Sequence, residues 1–240
     1  MPLPPIDNAV LLQRRNAYAY PTVAIQGTPP HWLEVNLPST IALDTYINQN
    51  LHSANDEDVI LGYISALFWG HASSADGRNI RPRAHGKIRL AYQGQDRVNR
   101  GQQQRIRGIQ DISEVTAVTH IRTAIQHIQN DNYTLAISEL NQLPQLQIAF
   151  SSKLCTFIAP EKCGVMDSRI AKIFPELGFT LRSGYVANSN QNRERYTEYC
   201  LSLQDRADEL NNDPAHGRWT DRDGIQRPWR AADVERALYV

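Results

Sequence analysis

The apolar positions of this chain recur mostly at helical spacing. Val59, Tyr63 and Leu67 fall on every fourth position of one stretch, and Ser39 and Ser113 are placed to cap two others. Helices are predicted over residues 40–52, 56–69, 113–130, 133–143, 153–158, 167–177, 193–211 and 231–240. No internal repeat and no pattern typical of a parallel sheet interrupts this series, so the predicted fold class is mainly α.

The beginning of the chain has a different character. Residues 1–38 are rich in proline and contain two short candidate strands, Ala9–Leu12 and Thr22–Ile25. We interpret this stretch as an irregular arm rather than a helical unit. Two regions are expected: residues 1–110 with the arm, the first helices and a basic segment, and residues 111–240 with the remaining helices.

Two polar residues are predicted to stand at the starts of consecutive short helices. Lys153 follows the polar pair Ser151-Ser152 and is expected in the first turn of one helix. Asp167 is expected to cap the next, accepting hydrogen bonds from its free N–H groups. The short connection between these helices can bring the amine and the carboxylate into one pocket. Taken singly, each residue is more often structural, as a helix cap or a solvated surface charge.

Charge is balanced overall but not locally. The chain has 25 Lys and Arg against 25 Asp and Glu, whereas residues 78–107 contain nine basic side chains and one acid, a net charge of +8. A run of this kind is often only a solvated surface loop. Because eight of the nine are arginine, which pairs bidentately with phosphate, we favour phosphate binding. The expected contacts are Arg81, Arg83, Lys87 and Arg89.

Composition also bears on cofactors and location. Cys155, Cys163 and Cys200 are odd in number and widely spaced, which argues against a disulfide framework or an iron–sulfur cluster. The seven histidines show no ligand spacing, so no metal and no cofactor are expected. No apolar stretch is long enough for a membrane span, and the proline-rich start lacks signal-peptide features. A cytoplasmic protein associated with the nucleoid is expected.

Residues 146–178 resemble the helix–hairpin–helix DNA glycosylases, and within them the 8-oxoguanine glycosylase-like branch. The family pattern is a hairpin, a lysine opening the next helix, and a Val-x-Asp that caps the helix after it. Here the hairpin would be Leu146–Ser152, the lysine Lys153 and the carboxylate that of Val165-Met166-Asp167. The closing WRAADVERALYV is similar to the end of small prokaryotic members. One departure is clear: the hairpin lacks the family's Gly-x-Gly, which allows close backbone approach to a phosphate.

The resemblance implies a two-lobed helix–hairpin–helix glycosylase with an irregular N-terminal arm, acting as a monomer on double-stranded DNA. It implies that Lys153 attacks the sugar C1′, with or without a lyase step, while Asp167 stabilises the positive charge that develops there. Ser151, Ser152 and Arg169 would contact DNA. An enzyme that flips a base needs an aromatic pocket, for which Phe68, Trp69 and His71 are the candidates. A plain core role for Trp69 is the alternative.

The resemblance leaves the substrate open. It implies either a hypermodified phage cytosine, such as glucosylated hydroxymethylcytosine removed in antiviral defence, or 8-oxoguanine removed in repair. We favour the first, because small prokaryotic members with divergent hairpins are the ones linked to defence. Two other classes are kept: a non-catalytic DNA-binding module with the same fold, and a helical adaptor whose basic segment meets an acidic protein.

Overall fold

The computed structural model describes residues 2–72, 80–99 and 101–240. Over these residues it contains eleven α-helices, one short 3-10 turn (Pro175–Leu177) and four antiparallel two-stranded ribbons, so the mainly α prediction is confirmed. The helices are α1 (Asn8–Ala17), α2 (Thr40–Leu51), α3 (Asp56–His71), α4 (Arg81–Gln93), α5 (Ile109–Ile112), α6 (Glu114–Gln129), α7 (Tyr133–Leu140), α8 (Ile148–Ile158), α9 (Ser168–Ile173), α10 (Asn190–Asn211) and α11 (Ala231–Tyr239). The ribbons are β1–β2 (Val23–Gln26, Leu33–Asn36), β3–β4 (Gln95–Asn99, Gln102–Ile106), β5–β6 (Leu181–Arg182, Tyr185–Val186) and β7–β8 (Trp219–Thr220, Gln226–Arg227).

Helix α3 lies at the centre of the core. Its residues from Val59 to Trp69 are buried almost without interruption, as expected of a helix that is apolar on every side. It packs against α2, α4, α6, α8 and β1. A single hydrophobic cluster contains buried side chains from Leu11 on α1 to Leu238 on α11, so both ends of the chain contribute to one core.

The prediction for the N-terminal arm is partly wrong. The expected strand Ala9–Leu12 lies inside α1, which is capped by Asp7. Helix is favoured there because Leu11 and Arg15, four residues apart, are both buried on one face, which packs against α11. The second strand is confirmed with a shift of one residue, since β1 begins at Val23 and pairs with β2.

The predicted start of the lysine-bearing helix is also wrong. Helix α8 begins at Ile148, so Lys153 lies in its middle rather than in its first turn. The predicted hairpin Leu146–Ser152 is therefore wrong in position, because residues 148–152 belong to α8. The turn before the helix spans residues 141–147, where Gln145 adopts a left-handed backbone (φ 61°) that glycine adopts without strain. Ser151 and Ser152 do not break the helix, because their hydroxyls are satisfied inside the protein: Ser151 Oγ donates to Asn141 Oδ1 at 2.7 Å.

The cap at Asp167 is confirmed. Its carboxylate accepts hydrogen bonds from two N–H groups of α9. The predicted helix over 167–177 is interrupted at Pro175, which has no N–H and pushes Phe174 out of the helical region (φ −123°, ψ 72°). Helical structure resumes as a single 3-10 turn over Pro175–Leu177. This turn ends at Gly178, whose φ is 65°.

Buried charges join the two ends of the chain. Arg15 on α1 pairs with Asp233 on α11 at 2.8 Å, and Asp44 on α2 receives both Arg230 at 2.7 Å and Arg236 at 2.6 Å. Removing one partner from such a buried network typically costs about 3–5 kcal/mol, because an uncompensated charge is left behind. These ion pairs therefore fix α11 against α1 and α2.

In the part of the chain that the structure describes, no helix is both long and apolar enough to cross a membrane.

Candidate active site

Lys153 is held on the face of α8 that meets α3. The residue is only 9% exposed, and its Nζ lies 5.6 Å from the centre of the Phe150 ring and 6.0 Å from that of Trp69. Gly70 makes room for it, since a Cβ at position 70 would come within 3.0 Å of the Lys153 Cδ. The lysine stem is thus confined by packing, while its amine borders a cleft.

Asp167 lies opposite this amine. Its Oδ1 accepts from the N–H groups of Arg169 at 2.9 Å and Ile170 at 3.1 Å, and its Oδ2 is 3.8 Å from the Lys153 Nζ. Ser152 fixes the connection between the two helices, because its hydroxyl accepts a hydrogen bond from the Met166 N–H at 2.9 Å. The two residues predicted to be catalytic are therefore brought together, although Lys153 reaches the site from mid-helix.

A cleft of about 140 Å³ opens over this pair. Four of its nine lining residues are aromatic, and the Tyr20 and Trp69 rings are 4.8 Å apart. Its residues are Tyr18, Tyr20, Trp69, Gly70, Lys153, Val165, Asp167, Glu235 and Tyr239. The cleft thus offers aromatic rings around an amine and two carboxyl groups.

The predicted base pocket is only partly placed in this cleft. Trp69 lines it, and its indole N–H donates to the Pro21 carbonyl at 3.0 Å. Phe68 is fully buried and packs against His85, so it belongs to the core. His71 does not line the cleft but stacks on Phe150, with ring centres 4.4 Å apart.

Four cleft residues were not predicted from the sequence: Tyr18, Tyr20, Tyr239 and Glu235. The two tyrosines of the arm come from Tyr18-Ala19-Tyr20-Pro21, where an aromatic pair in an otherwise irregular stretch was the available signal. Glu235 lies on α11 between residues that are also buried. Asp233 and Arg236 lie on the same helix, so the sequence of α11 does not single out Glu235 as a functional residue.

Burial changes the protonation of Glu235. The residue is 3% exposed, and burial is the main cause that raises the pKa of its carboxyl to about 8. The negative charge of Asp167 raises this pKa further, while Arg236, Lys153 and the Val165 N–H lower it. The cleft therefore contains two carboxyl groups in unlike environments, one hydrogen-bonded to N–H donors beside an amine and the other desolvated.

The pKa of His71 is influenced both by cations of helix α4 and by the Lys153 amine at the cleft. Burial lowers the pKa of His71 to about 4, and the charges of Lys87, Lys153 and Arg83 lower it further in that order. Arg83 and Lys87 are one helical turn apart and so share a face of α4. The charges of that face and of the Lys153 amine thus act on the same imidazole.

The basic segment is not a loop over its described residues. It forms α4 and the ribbon β3–β4, whose strands are exposed on both faces apart from half-buried Ile106. Arg83 and Arg89 are exposed and Lys87 is half-buried, whereas Arg81 pairs with Glu34 at 2.7 Å. Arg78 and Arg100, which also belong to the predicted segment, lie outside the described residues.

The other residues expected to contact DNA divide into two groups. Ser151 and Ser152 are fully buried, which does not fit direct contact, and their hydroxyls position α8 and its connection to α9. Arg169 is half-buried, with its guanidinium 4.5 Å from the centre of the Tyr239 ring at the cleft. Arg169 stays a candidate and the two serines become supporting residues.

No set of three or more His, Cys, Asp or Glu side chains among the described residues could hold a metal ion. Cys155, Cys163 and Cys200 are free thiols in the core, and burial raises the pKa of both Cys155 and Cys163 above the ordinary thiol value. The chemistry that the cleft offers is that of its amine, carboxyl groups and rings. An amine beside a carboxylate suits attack on an electron-poor carbon that carries developing positive charge.

Comparison with known protein families gives a match over most of the chain. Residues 42–239 match the model of a family described as "Putative 8-oxoguanine DNA glycosylase OGG-like protein". No curated protein and no solved structure gives a significant match. The matched stretch contains Lys153, Asp167 and Glu235, whereas Tyr18 and Tyr20 precede it.

Proposed function

The chain belongs to the OGG-like family of DNA glycosylases, and from that premise we propose that it flips a modified base out of double-stranded DNA and excises it by attack of Lys153 on the sugar C1′. The observation that carries the proposal is the 3.8 Å approach of the Lys153 amine to the Asp167 carboxylate inside an aromatic cleft.

The chemistry follows from the bond that breaks. Cleavage of an N-glycosidic bond builds positive charge at C1′, and a preorganised carboxylate stabilises that charge. Asp167 is preorganised because two α9 N–H groups hold one of its oxygens and leave the other toward Lys153. The Lys153 amine, once neutral, captures C1′ and forms an imine with the opened sugar, from which the 3′ phosphate can be eliminated. Base release would then be coupled to strand cleavage.

The aromatic lining supports capture of a flipped base. A base leaves the duplex only if unstacking is compensated, and stacking on protein rings contributes about 1–3 kcal/mol per base. Tyr20 and Trp69, with their rings 4.8 Å apart, border the same cleft as Lys153. A base held among these rings would present its C1′ to the amine.

As the target we propose a hypermodified cytosine of phage DNA, such as glucosylated hydroxymethylcytosine, excised in antiviral defence. In its favour, neither the predicted hairpin Leu146–Ser152 nor the turn over residues 141–147 contains the family's glycines, and that turn carries Gln145 in a left-handed conformation. Excision of 8-oxoguanine in repair is the second candidate, and the description of the matched family favours it. The two targets differ in size and in hydroxyl content, so a direct assay separates them.

The test is base release from a panel of duplexes that are identical except for one central nucleotide. The panel contains cytosine, hydroxymethylcytosine, glucosylated hydroxymethylcytosine, guanine and 8-oxoguanine. We expect release of the glucosylated base and retention of the unmodified ones, read as free base and as abasic sites. Release of 8-oxoguanine alone would contradict the proposed target and support the second candidate, excision of 8-oxoguanine in DNA repair. Binding to every duplex without release of any base would favour the non-catalytic module.

DNA affinity tests the interface proposed on α4. Reversing Arg83 and Lys87 to glutamate should weaken binding to all duplexes alike, because phosphate contacts do not read sequence. Each lost phosphate contact should reduce the slope of log K against log salt by about 0.9, so the double variant should lose about 1.8. The measurement is a fluorescence-anisotropy titration at several salt concentrations.

A matched control reverses two ion-paired cations that do not line the cleft, Arg122, which pairs with Asp56, and Lys162, which pairs with Asp131. This control changes the net charge equally and should leave most of the salt slope in place. Equal slopes for the α4 variant and the wild type would remove α4 from the interface and favour the adaptor interpretation.

A further inference from the structure

Glu235 is a buried acid in the cleft that the proposed attack by Lys153 does not use. It lines the same cleft as Lys153 and Asp167 and is 3% exposed. Among the described residues, no ion pair involves its carboxylate, in contrast to Asp233 and Arg236 beside it on α11. Gly164 leaves space for its stem, since a Cβ at position 164 would lie 2.9 Å from the Glu235 Cβ.

The groups that act on Glu235 come from every element around it. Lys153 on α8 and Arg236 on α11 contribute positive charge, and Asp167 at the start of α9 contributes negative charge. Burial raises the pKa values of Tyr18, Tyr199 and Tyr239, and the charge of Glu235 raises each of them further. The cationic part of this set is already engaged, because Arg236 pairs with Asp44 and Lys153 faces Asp167.

We propose that Glu235 is the proton donor of the reaction: its carboxyl O–H protonates the departing base as the C1′–N bond breaks. This inference rests on the proposed glycosylase function. It assigns the two carboxyl groups of the cleft opposite roles, with Asp167 as the anion that stabilises C1′ and Glu235 as the neutral acid.

The step balances without any further reactant. The electron pair of the C1′–N bond moves to the base, which takes the Glu235 proton and leaves as the neutral heterocycle. The lone pair of the neutral Lys153 amine forms the new C1′–N bond and gives a secondary ammonium. That ammonium passes one proton to the Glu235 carboxylate, which restores the acid for the next turnover. Nothing is oxidised or reduced.

The protonation of Glu235 agrees with this role. With a pKa of about 8, the carboxyl keeps its proton at neutral pH and loses it as the pH rises through that value. A general acid works best when its pKa lies near the working pH. Base release should therefore decline above about pH 8, because the ionised carboxylate cannot donate.

The decisive experiment separates base departure from imine formation. Glu235→Gln keeps the shape of the side chain and removes the acid, so single-turnover base release should fall by about 10²–10⁴-fold. The same variant should still be trapped by borohydride on a duplex that already contains an abasic site, because no base has to leave there. Its pH profile should also lack the decline above about pH 8 that we expect of the wild type.

Several outcomes overturn the inference. Base release that survives in Glu235→Gln, or an alkaline decline that persists in it, would remove Glu235 as the donor. Equal loss of release and trapping, or loss of thermal stability, would make Glu235 a supporting residue. Partial recovery in Glu235→Asp, which retains an acid on a shorter stem, is the expected rescue. If the wild type neither releases a base nor forms an adduct, the proposed glycosylase function itself fails, which is a different result.

Discussion

Lys153→Gln is expected to abolish base release and covalent trapping together. The amine is the proposed nucleophile, so its replacement by an amide should reduce single-turnover release by about 10³-fold or more. Borohydride added during turnover should link the wild type to DNA through a reduced imine, and no such adduct should form with the variant. The measurements are free base by chromatography and the adduct as a shifted band on a denaturing gel.

The control for this substitution is Lys162→Gln, which removes an equal charge from a lysine that pairs with Asp131 and does not line the cleft. It should keep both activities. Because Lys153 packs against α3 through Gly70, a thermal melt must show that Lys153→Gln is folded. Release without an adduct in Lys153→Gln would mean that a water activated by Asp167 attacks C1′ and that the lysine only holds the substrate.

Local rules were sufficient to place Asp167. A carboxylate followed by an apolar helical stripe is a cap signal that depends on neighbouring residues alone. The start of α8 was missed because a pair of serines often marks a helix boundary, which placed the predicted start after Ser152. In the folded chain, tertiary contacts satisfy both hydroxyls, and the helix begins earlier, at Ile148. Ser151 and Ser152 resemble a helix boundary in sequence, but their hydroxyls find partners in Asn141 and Met166, which the sequence does not place beside them.

The cleft itself could not be predicted because it joins distant parts of the chain. Tyr18 and Tyr20 meet Glu235 and Tyr239 only once α1 has packed on α11, and the 2.8 Å ion pair between Arg15 and Asp233 spans a separation of 218 residues. No local periodicity records such a contact. The basic segment was visible by composition, whereas its division into α4 and β3–β4 was not.

The buried ion pairs around α11 give Glu235 its position. Arg236, the next residue along the helix, is held by Asp44 at 2.6 Å, and Asp233 is held by Arg15. A helix fixed by paired charges on one side can keep an unpaired acid on another without shifting to solvate it. The unlike environments of the two carboxyl groups in one cleft, one desolvated and one hydrogen-bonded to N–H groups, are thus consequences of packing as much as of residue type.

Asp167→Asn should cost activity far more than stability. Asparagine caps a helix about as well as aspartate, so the free energy of unfolding should fall by at most about 1 kcal/mol. The charge that stabilises C1′ is lost, and base release should fall by about 10²–10³-fold. Asp7→Asn is the matched control, because Asp7 caps α1 through the Ala9 N–H and does not line the cleft. Activity and chemical denaturation are measured on both variants.

The same substitution has a second consequence that a purely structural cap would not produce. The negative charge of Asp167 raises the pKa of Glu235, so its removal should lower that pKa from about 8. The decline of base release at alkaline pH should therefore begin at a lower pH in Asp167→Asn than in the wild type. Full activity with an unshifted pH profile would reduce Asp167 to a helix cap and remove the carboxylate from the mechanism.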